Sequence, residues 1–116
     1  MKSVGTSLLL STQTIAAAGS TQADATPIGT APMGFVLATG ADATKGILLP
    51  PATAGKMFII KNADAANAVL KVWPSGTNAI NAITAGSEIS MAAKTSAVFV
   101  VGDDGVTWYT TPLLPS

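Results

Sequence analysis

The sequence contains no cysteine, no histidine and no arginine, because all six of its basic residues are lysines. Without cysteine and histidine, the chain lacks the usual ligands of zinc, copper and haem iron, and it cannot form a cysteine nucleophile or a Ser-His-Asp triad. Cysteine usage gives no indication of the cellular compartment. These absences exclude most familiar forms of catalysis, and we expect neither a metal nor a cofactor.

Charged residues are also scarce. They make up 10% of the 116 residues and sum to a net charge of zero, whereas an average protein contains about 25%. A neutral chain without arginine has little with which to neutralise phosphates or read guanine, so nucleic acid is not expected as a partner. No apolar run approaches the roughly 20 residues of a membrane-spanning helix, and polar residues interrupt the N-terminal stretch that a secretory signal would need. The sparse charge has little to discourage association, so we expect an oligomer.

The first 33 residues differ in composition from the rest, with many serines and threonines, two charged residues and no aromatic residue. Such a stretch cannot by itself offset the entropy cost of ordering, about 1 to 2 kcal/mol per residue. We predict that residues 1–33 form an extended arm held by a partner. A terminal strand near residues 4–15, paired within the same domain, is the alternative. The arm residues expected to contact the partner are apolar: Leu8, Leu9, Leu10 and Ile15.

Residues 34–116 are predicted to form one β-domain, because short β-prone runs alternate there with turn signals. The predicted strands are 34–39, 46–49, 56–62, 68–73, 88–92, 95–101 and 106–111. The sequence Gly-Asp-Asp-Gly at 102–105 is the best hairpin signal in the chain. We expect an all-β fold, a small antiparallel β-sandwich or barrel-like domain.

Two of these strands contain segments that are apolar at every position, residues 57–60 and 97–101. Because successive side chains of a strand point to opposite faces, both faces carry hydrophobic side chains there. A single compact domain covers one face of each sheet, so the other requires the N-terminal segment or another copy. The large apolar side chains expected in the oligomer interface or the core are Phe58, Ile60, Trp73, Phe99 and Trp108.

No arrangement of catalytic residues stands out. Ser90 and Lys94 would lie roughly 13 Å apart along a strand, too far for proton transfer. Glu88, the only glutamate, stands at a strand start where an exposed carboxylate is expected rather than half of a catalytic pair. Asp103 and Asp104 are more typical of a turn than of a calcium site.

The large planar residues allow one binding hypothesis. Trp73, Trp108 and Tyr109, with Asn78, Asn81 and Asp104 nearby in sequence, could form a platform on which a sugar stacks. Packing in the core or between subunits is the favoured interpretation, because aromatic residues dominate such contacts. A glycan is therefore the alternative partner.

The order of motifs in the second half of the chain resembles that of a known family. It consists of a strand followed by asparagine, a strand followed by Pro-x-Gly and then Ile-Asn, a third strand, and Asp-Gly-x-x-Trp. These motifs occupy residues 48–62, 69–81, 95–101 and 103–109. The pattern resembles a small β-domain that recurs in virion proteins of tailed bacteriophages, and it covers just over half of the chain.

Such domains occur in capsid decoration proteins, head fibres and tail-associated fibres, commonly as trimers and without an enzymatic role. The resemblance therefore implies a homotrimeric, non-enzymatic decoration or cement protein on the outer capsid surface, with the major capsid protein as its partner. A short chain without a receptor-binding domain or long coiled coil suits this role better than that of a complete fibre. A glycan-binding head-fibre or tail-fibre module is the alternative function.

Overall fold

The computed structural model describes residues 10–29, 31–63, 68–81 and 83–115, and within these ranges it contains strands and no helix. The strands are β1 (Ser11–Ala16), β2 (Thr26–Pro27), β3 (Met33–Thr39), β4 (Gly46–Leu48), β5 (Met57–Asn62), β6 (Leu70–Trp73), β7 (Ala79–Ile80), β8 (Ile89–Met91), β9 (Ser96–Val101) and β10 (Thr107–Thr111). The expectation of an all-β fold is confirmed. Each strand predicted after residue 33 is present.

The strands form two sheets. Sheet A has the order β1-β3-β5-β9-β10-β7, and sheet B has the order β2-β4-β6-β8. From β1 to β6, successive strands alternate between the sheets, and neighbours within each sheet run parallel. This part of the chain therefore winds as a coil, resembling a β-solenoid, in which each turn adds one strand to each sheet.

The coil corrects the expectation of an antiparallel sandwich or barrel. From β1 to β6, consecutive strands do not return beside one another as hairpins, because each connection crosses to the opposite sheet. In the connection from β3 to β4, Gly40 and Ala43 both have positive φ, +75° and +77°. The Asp42 carboxylate accepts hydrogen bonds from the main-chain N–H groups of Thr44 and Lys45, each at 2.9 Å. This tight turn redirects the chain from sheet A to sheet B.

The second half of the chain closes the coil with antiparallel strands. β8 runs antiparallel to β6, and β9 runs antiparallel to β5. β10 returns beside β9 with Trp108 opposite Val101, so the hairpin predicted at residues 102–105 is confirmed. Gly105 has a φ of +74°, and the Asp104 carboxylate accepts hydrogen bonds from the main-chain N–H groups of Val106 and Thr107.

The core lies between the inner faces of the two sheets. Trp108, Phe58 and Phe99 are its largest side chains, and all are fully buried. The rings of Phe58 and Trp108 pack with centroids 6.1 Å apart. Sheet B contributes Ile47, Leu49, Leu70, Val72, Ile89 and Met91, which lie in or directly beside its strands.

The N-terminal segment packs on this domain wherever the structure describes it. β1 pairs with β3 along its whole length, from Ser11 opposite Gly34 to Ala16 opposite Thr39. Of the two arrangements considered for this segment, residues 11–16 adopt the strand within the domain. The fit requires glycine at 34, because a Cβ there would lie 2.8 Å from the carbonyl oxygen of Ser11.

The four predicted arm-contact residues are placed as follows. Ile15 is half-buried and packs against the core of its own chain. Leu10 is also half-buried. Leu8 and Leu9 lie outside the described residues.

Candidate functional site

The outer face of sheet A is the main candidate for an interaction surface. On β3, β5 and β9, alternate residues such as Val36, Phe58 and Phe99 point into the core and are fully buried. The residues between them point away from the core, and most are apolar and only half-buried. With exposed Tyr109 of β10, they form the surface called here the apolar face: Met33, Phe35, Leu37, Met57, Ile59, Val98, Val100 and Tyr109.

Strand register makes the apolar face continuous. Ile59 pairs with Phe35 on one side and with Val98 on the other. A neighbouring row runs from Met33 through Met57 and Val100 to Tyr109. With strands about 4.8 Å apart and alternate residues about 6.8 Å apart, its eight positions cover about 260 Å². This area lies just below the about 300–600 Å² of the largest apolar patch on a typical monomer, a patch that is often functional.

Charge on the apolar face is confined to its margin. Lys61 lies in register with Leu37 and Ser96 at one end of the strands. Its ammonium group donates a hydrogen bond to the main-chain carbonyl of Lys94 at 3.3 Å. Because no outward residue of β3, β5, β9 or β10 is acidic, the face has no basis for selecting a basic partner.

The outer side of sheet B has a different character. The ammonium group of Lys71 donates to the Ser90 hydroxyl at 2.9 Å across β6 and β8. The indole of Trp73 lies over Gly46, where an added Cβ would be 3.0 Å from its Nε1 atom. Trp73 is therefore half-buried against its own sheet. The contrast makes sheet A the more apolar of the two outer surfaces.

The structure separates the residues that the sequence grouped as interface or core. Phe58, Ile60, Phe99 and Trp108 have no exposed surface and lie in the core, so in the folded chain they do not reach a partner. Their outward neighbours form the apolar face instead. The position of Lys61 indicates which alternate residues of β5 face away from the core. Lysine is rarely fully buried, and Lys61 lies on the same face of the strand as Met57 and Ile59.

The aromatic side chains do not form a sugar-stacking platform. Trp108 is fully buried, Tyr109 points outward from sheet A with 47% of its surface exposed, and Trp73 belongs to sheet B. The asparagines are engaged within the fold. The Asn78 side chain accepts a hydrogen bond from the main-chain N–H of Ala52, and the Asn81 amide donates to the Thr110 hydroxyl at 2.8 Å.

The acidic residues with shifted pKa values serve turns rather than a catalytic pair. The hydroxyl and main-chain N–H of Thr44 lower the pKa of Asp42 to about 2. The N–H of Val106 and the hydroxyl of Thr107 lower the pKa of Asp104. These carboxylates remain ionised well below neutral pH, which is unsuitable for a general acid. Ser90 bonds to Lys71, not to Lys94.

Other kinds of site are missing from the part of the chain that the structure describes. It contains no group of three acidic, cysteine or histidine residues able to hold a metal ion, and no ligand pocket. It also contains no helix long and apolar enough to cross a membrane. The candidate site is therefore a surface.

The fold and this surface define an all-β protein with a coiled pair of mixed sheets and one apolar outer face. No protein-family model matches the chain, and no curated protein matches it.

Proposed function

We propose that this protein is a non-enzymatic structural protein of a phage virion, a decoration or cement protein that associates as a trimer on the outer surface of the capsid. The observation that carries the proposal is the apolar face of sheet A. A partner surface on this face would remove its apolar side chains from water, and its uncharged centre suits another apolar protein surface. The order of motifs that resembles phage virion domains supports the choice of setting.

The size of the apolar face determines how strongly it can bind. Covering about 260 Å² yields at most about 6–7 kcal/mol per copy at about 25 cal/mol per Å². Association costs about 4–15 kcal/mol, so one such contact alone gives weak binding. A closed trimer, in which each copy contacts two others, and attachment to a shell would add the missing free energy. Binding to the assembled shell then stabilises that shell by mass action.

Replacing Ile59 with aspartate tests the apolar face. Ile59 lies at its centre, so a carboxylate there would have to lose water when copies associate. We expect Ile59→Asp to remain folded and to appear as a monomer in native mass spectrometry, whereas the unmodified chain forms trimers. Leu48→Asp, the same change on the outer side of sheet B, is the control and should leave trimers intact. Trimers from Ile59→Asp would refute the assignment of this face.

Deleting residues 2–9 tests attachment to the shell. The deletion stops at residue 9 because residues 11–16 belong to sheet A, and their removal would expose the core. Under the proposal, the deletion variant remains a folded trimer but no longer adds to capsid shells that lack the protein. Electron microscopy of labelled shells measures the occupancy. Full occupancy by this variant would contradict the role of the N-terminal segment, and absence of the unmodified protein from shells would contradict the proposal itself.

The alternative function as a glycan-binding fibre module has no specific observation in its favour. Its aromatic residues are distributed among the core and two different outer surfaces. The side-chain amides that would bind sugar hydroxyls are engaged within the fold. We therefore retain the capsid role alone.

A further inference from the structure

The four edge strands of the two sheets, β1, β7, β2 and β8, differ in how they are protected. An open strand edge offers unpaired main-chain groups to other chains, and proteins usually shorten, cover or charge such edges. β2 and β7 each contain two residues, and β2 includes Pro27. β8 is covered where the main-chain N–H of Ser90 donates to the carbonyl of Pro115 at 2.8 Å. Three edge strands are thus protected by features of the described residues.

β1 has none of these protections. It is six residues long, Ser-Thr-Gln-Thr-Ile-Ala, and contains neither charge nor proline. It pairs with β3 on one side only, and none of the described residues pairs with its other side. The side chains of Thr12 and Thr14 are exposed.

The hydrogen bond of Ala17, the residue that follows β1, shows in which direction the main-chain groups of β1 point. The N–H of Ala17 donates to the carbonyl of Thr39, the last residue of β3, at 2.8 Å. Since main-chain groups alternate in direction along a strand, those of Thr12, Thr14 and Ala16 point toward the open edge. The Ala16 carbonyl accepts a hydrogen bond from the Thr26 hydroxyl at 2.7 Å. The N–H and C=O groups of Thr12 and Thr14 therefore form the available edge.

We propose that this edge pairs with the same edge of a second copy of the chain. The two β1 strands run antiparallel about a two-fold axis at Gln13, which places Thr12 opposite Thr14 of the partner subunit. Each such pair exchanges both of its main-chain hydrogen bonds. Opposed threonines are favourable cross-strand partners.

The identity of the occupant rests on the lack of charge and on self-complementarity. Two identical edges with charged residues would repel each other, but the β1 edge has none. The main-chain N–H and C=O groups of Thr12 and Thr14 are available on both copies, so each donor on one edge meets an acceptor on the other. The pairing extends sheet A through both copies and uses a different surface from the apolar face. The pairing therefore does not depend on the proposed capsid role, and where that role holds it would link trimers.

The extent of the edge predicts a weak contact. Specific stable interfaces bury at least about 1,200 Å² in total, and a single pair of short strands buries less. We expect pairing at high local concentration, as on a surface that holds many copies.

Disulfide trapping tests the register, since the natural sequence has no cysteine to compete. In the proposed register, position 12 faces position 14 at a Cα separation of about 5.5 Å, within the roughly 4.4–6.8 Å that a disulfide spans. Position 12 of one copy and position 12 of the other lie about 8 Å apart, as do the two positions 14, and this distance is too long for a disulfide. An oxidised mixture of Thr12→Cys and Thr14→Cys should yield a covalent dimer on a non-reducing gel, and each variant alone should yield little. Equal dimer from the single variants, or none from the mixture, overturns the proposal.

Thr14→Pro provides a second test. Proline lacks the N–H that faces the open edge, and a strand tolerates proline where that group faces away from its neighbour. We expect the variant to fold like the unmodified chain and to lose concentration-dependent pairing in sedimentation experiments on the Ile59→Asp background. Gln13→Pro, which removes a bond toward β3, should lower stability. If Thr14→Pro pairs as the unmodified chain does, the proposal is overturned. If this variant in addition no longer binds capsid shells, the β1 edge pairs with a strand of the shell protein instead.

Discussion

Replacing Trp108 with alanine is expected to lower the free energy of unfolding by about 3–5 kcal/mol, the range typical of Trp and Phe truncations in cores. Trp108 is fully buried and packs against Phe58. Its Nε1 atom has no hydrogen-bond partner among the described residues, so the loss comes from apolar contact and the cavity left behind. Urea unfolding followed by circular dichroism measures the change.

Tyr109→Ala is the matched control for this prediction. Tyr109 is the next residue on β10 but points outward and is 47% exposed. Its truncation should leave the stability of the monomer within about 1 kcal/mol of the original, because exposed side chains contribute little to folding. Similar losses for the two variants would contradict the assignment of Trp108 to the core.

Replacing Asn62 with aspartate is expected to destabilise the fold by about 3–5 kcal/mol at neutral pH, because a buried carboxylate would face two carbonyl oxygens to which the amide now donates. Asn62 lies on β5 of sheet A and is fully buried. Its side-chain amide donates to the carbonyls of Ala68, at 2.9 Å, and Met91, at 3.1 Å. Met91 belongs to β8, so the amide links sheet A to sheet B. A carboxylate would place negative charge against two carbonyl oxygens.

This variant should also acquire a pH dependence of defined sign. Burial and the facing carbonyls favour the neutral carboxyl and raise its pKa in the folded state. The destabilisation should therefore be smallest below the unfolded pKa of about 3.9 and should increase as the pH rises through the folded pKa. Unfolding midpoints measured across this pH range test the expectation.

Asn78→Asp is the control for Asn62→Asp, because Asn78 uses its carbonyl oxygen as the acceptor from the N–H of Ala52. A carboxylate retains that acceptor, so the change should be small and nearly independent of pH. A loss at position 78 equal to that at position 62 would show that donation by the Asn62 amide does not matter.

Residues typical of turns made it possible to predict where most strands begin and end. Prolines 50 and 51 and the Gly-Asp-Asp-Gly turn separate strands at the positions where the structure has them. β2 and β7 were not predicted, because a two-residue strand has no periodicity and β2 includes Pro27. Strand direction was also beyond the sequence pattern. The short connection after β3 suggests a hairpin, whereas the turn at Asp42 leads to the other sheet.

The candidate site was predictable in kind but not in detail. Segments that are apolar at every position, such as 57–60, place hydrophobic side chains on both faces of a sheet. Because one compact domain covers only one of these faces, the pattern indicated an apolar outer surface. Hydrophobicity alone does not say which alternate set faces the core, since Phe58 and Ile59 are both hydrophobic, and only Lys61, on the same side of the strand as Ile59, indicates it. The open edge of β1 could not be predicted from the sequence. It differs from the other edges because β2 and β7 are short and β8 is covered in the fold by Pro115, which is distant in sequence.

The winding of the chain also affects how it opens. The first turn of the coil, β1 with β2, rests on β3 and β4, with the Gln22 side chain as a further tie to the carbonyls of Pro74 and Gly76. In stacked architectures, such a terminal unit can detach while the remainder stays native. Subglobal unfolding should therefore begin at this turn, and any contact that immobilises β1 would protect the whole molecule against proteolysis.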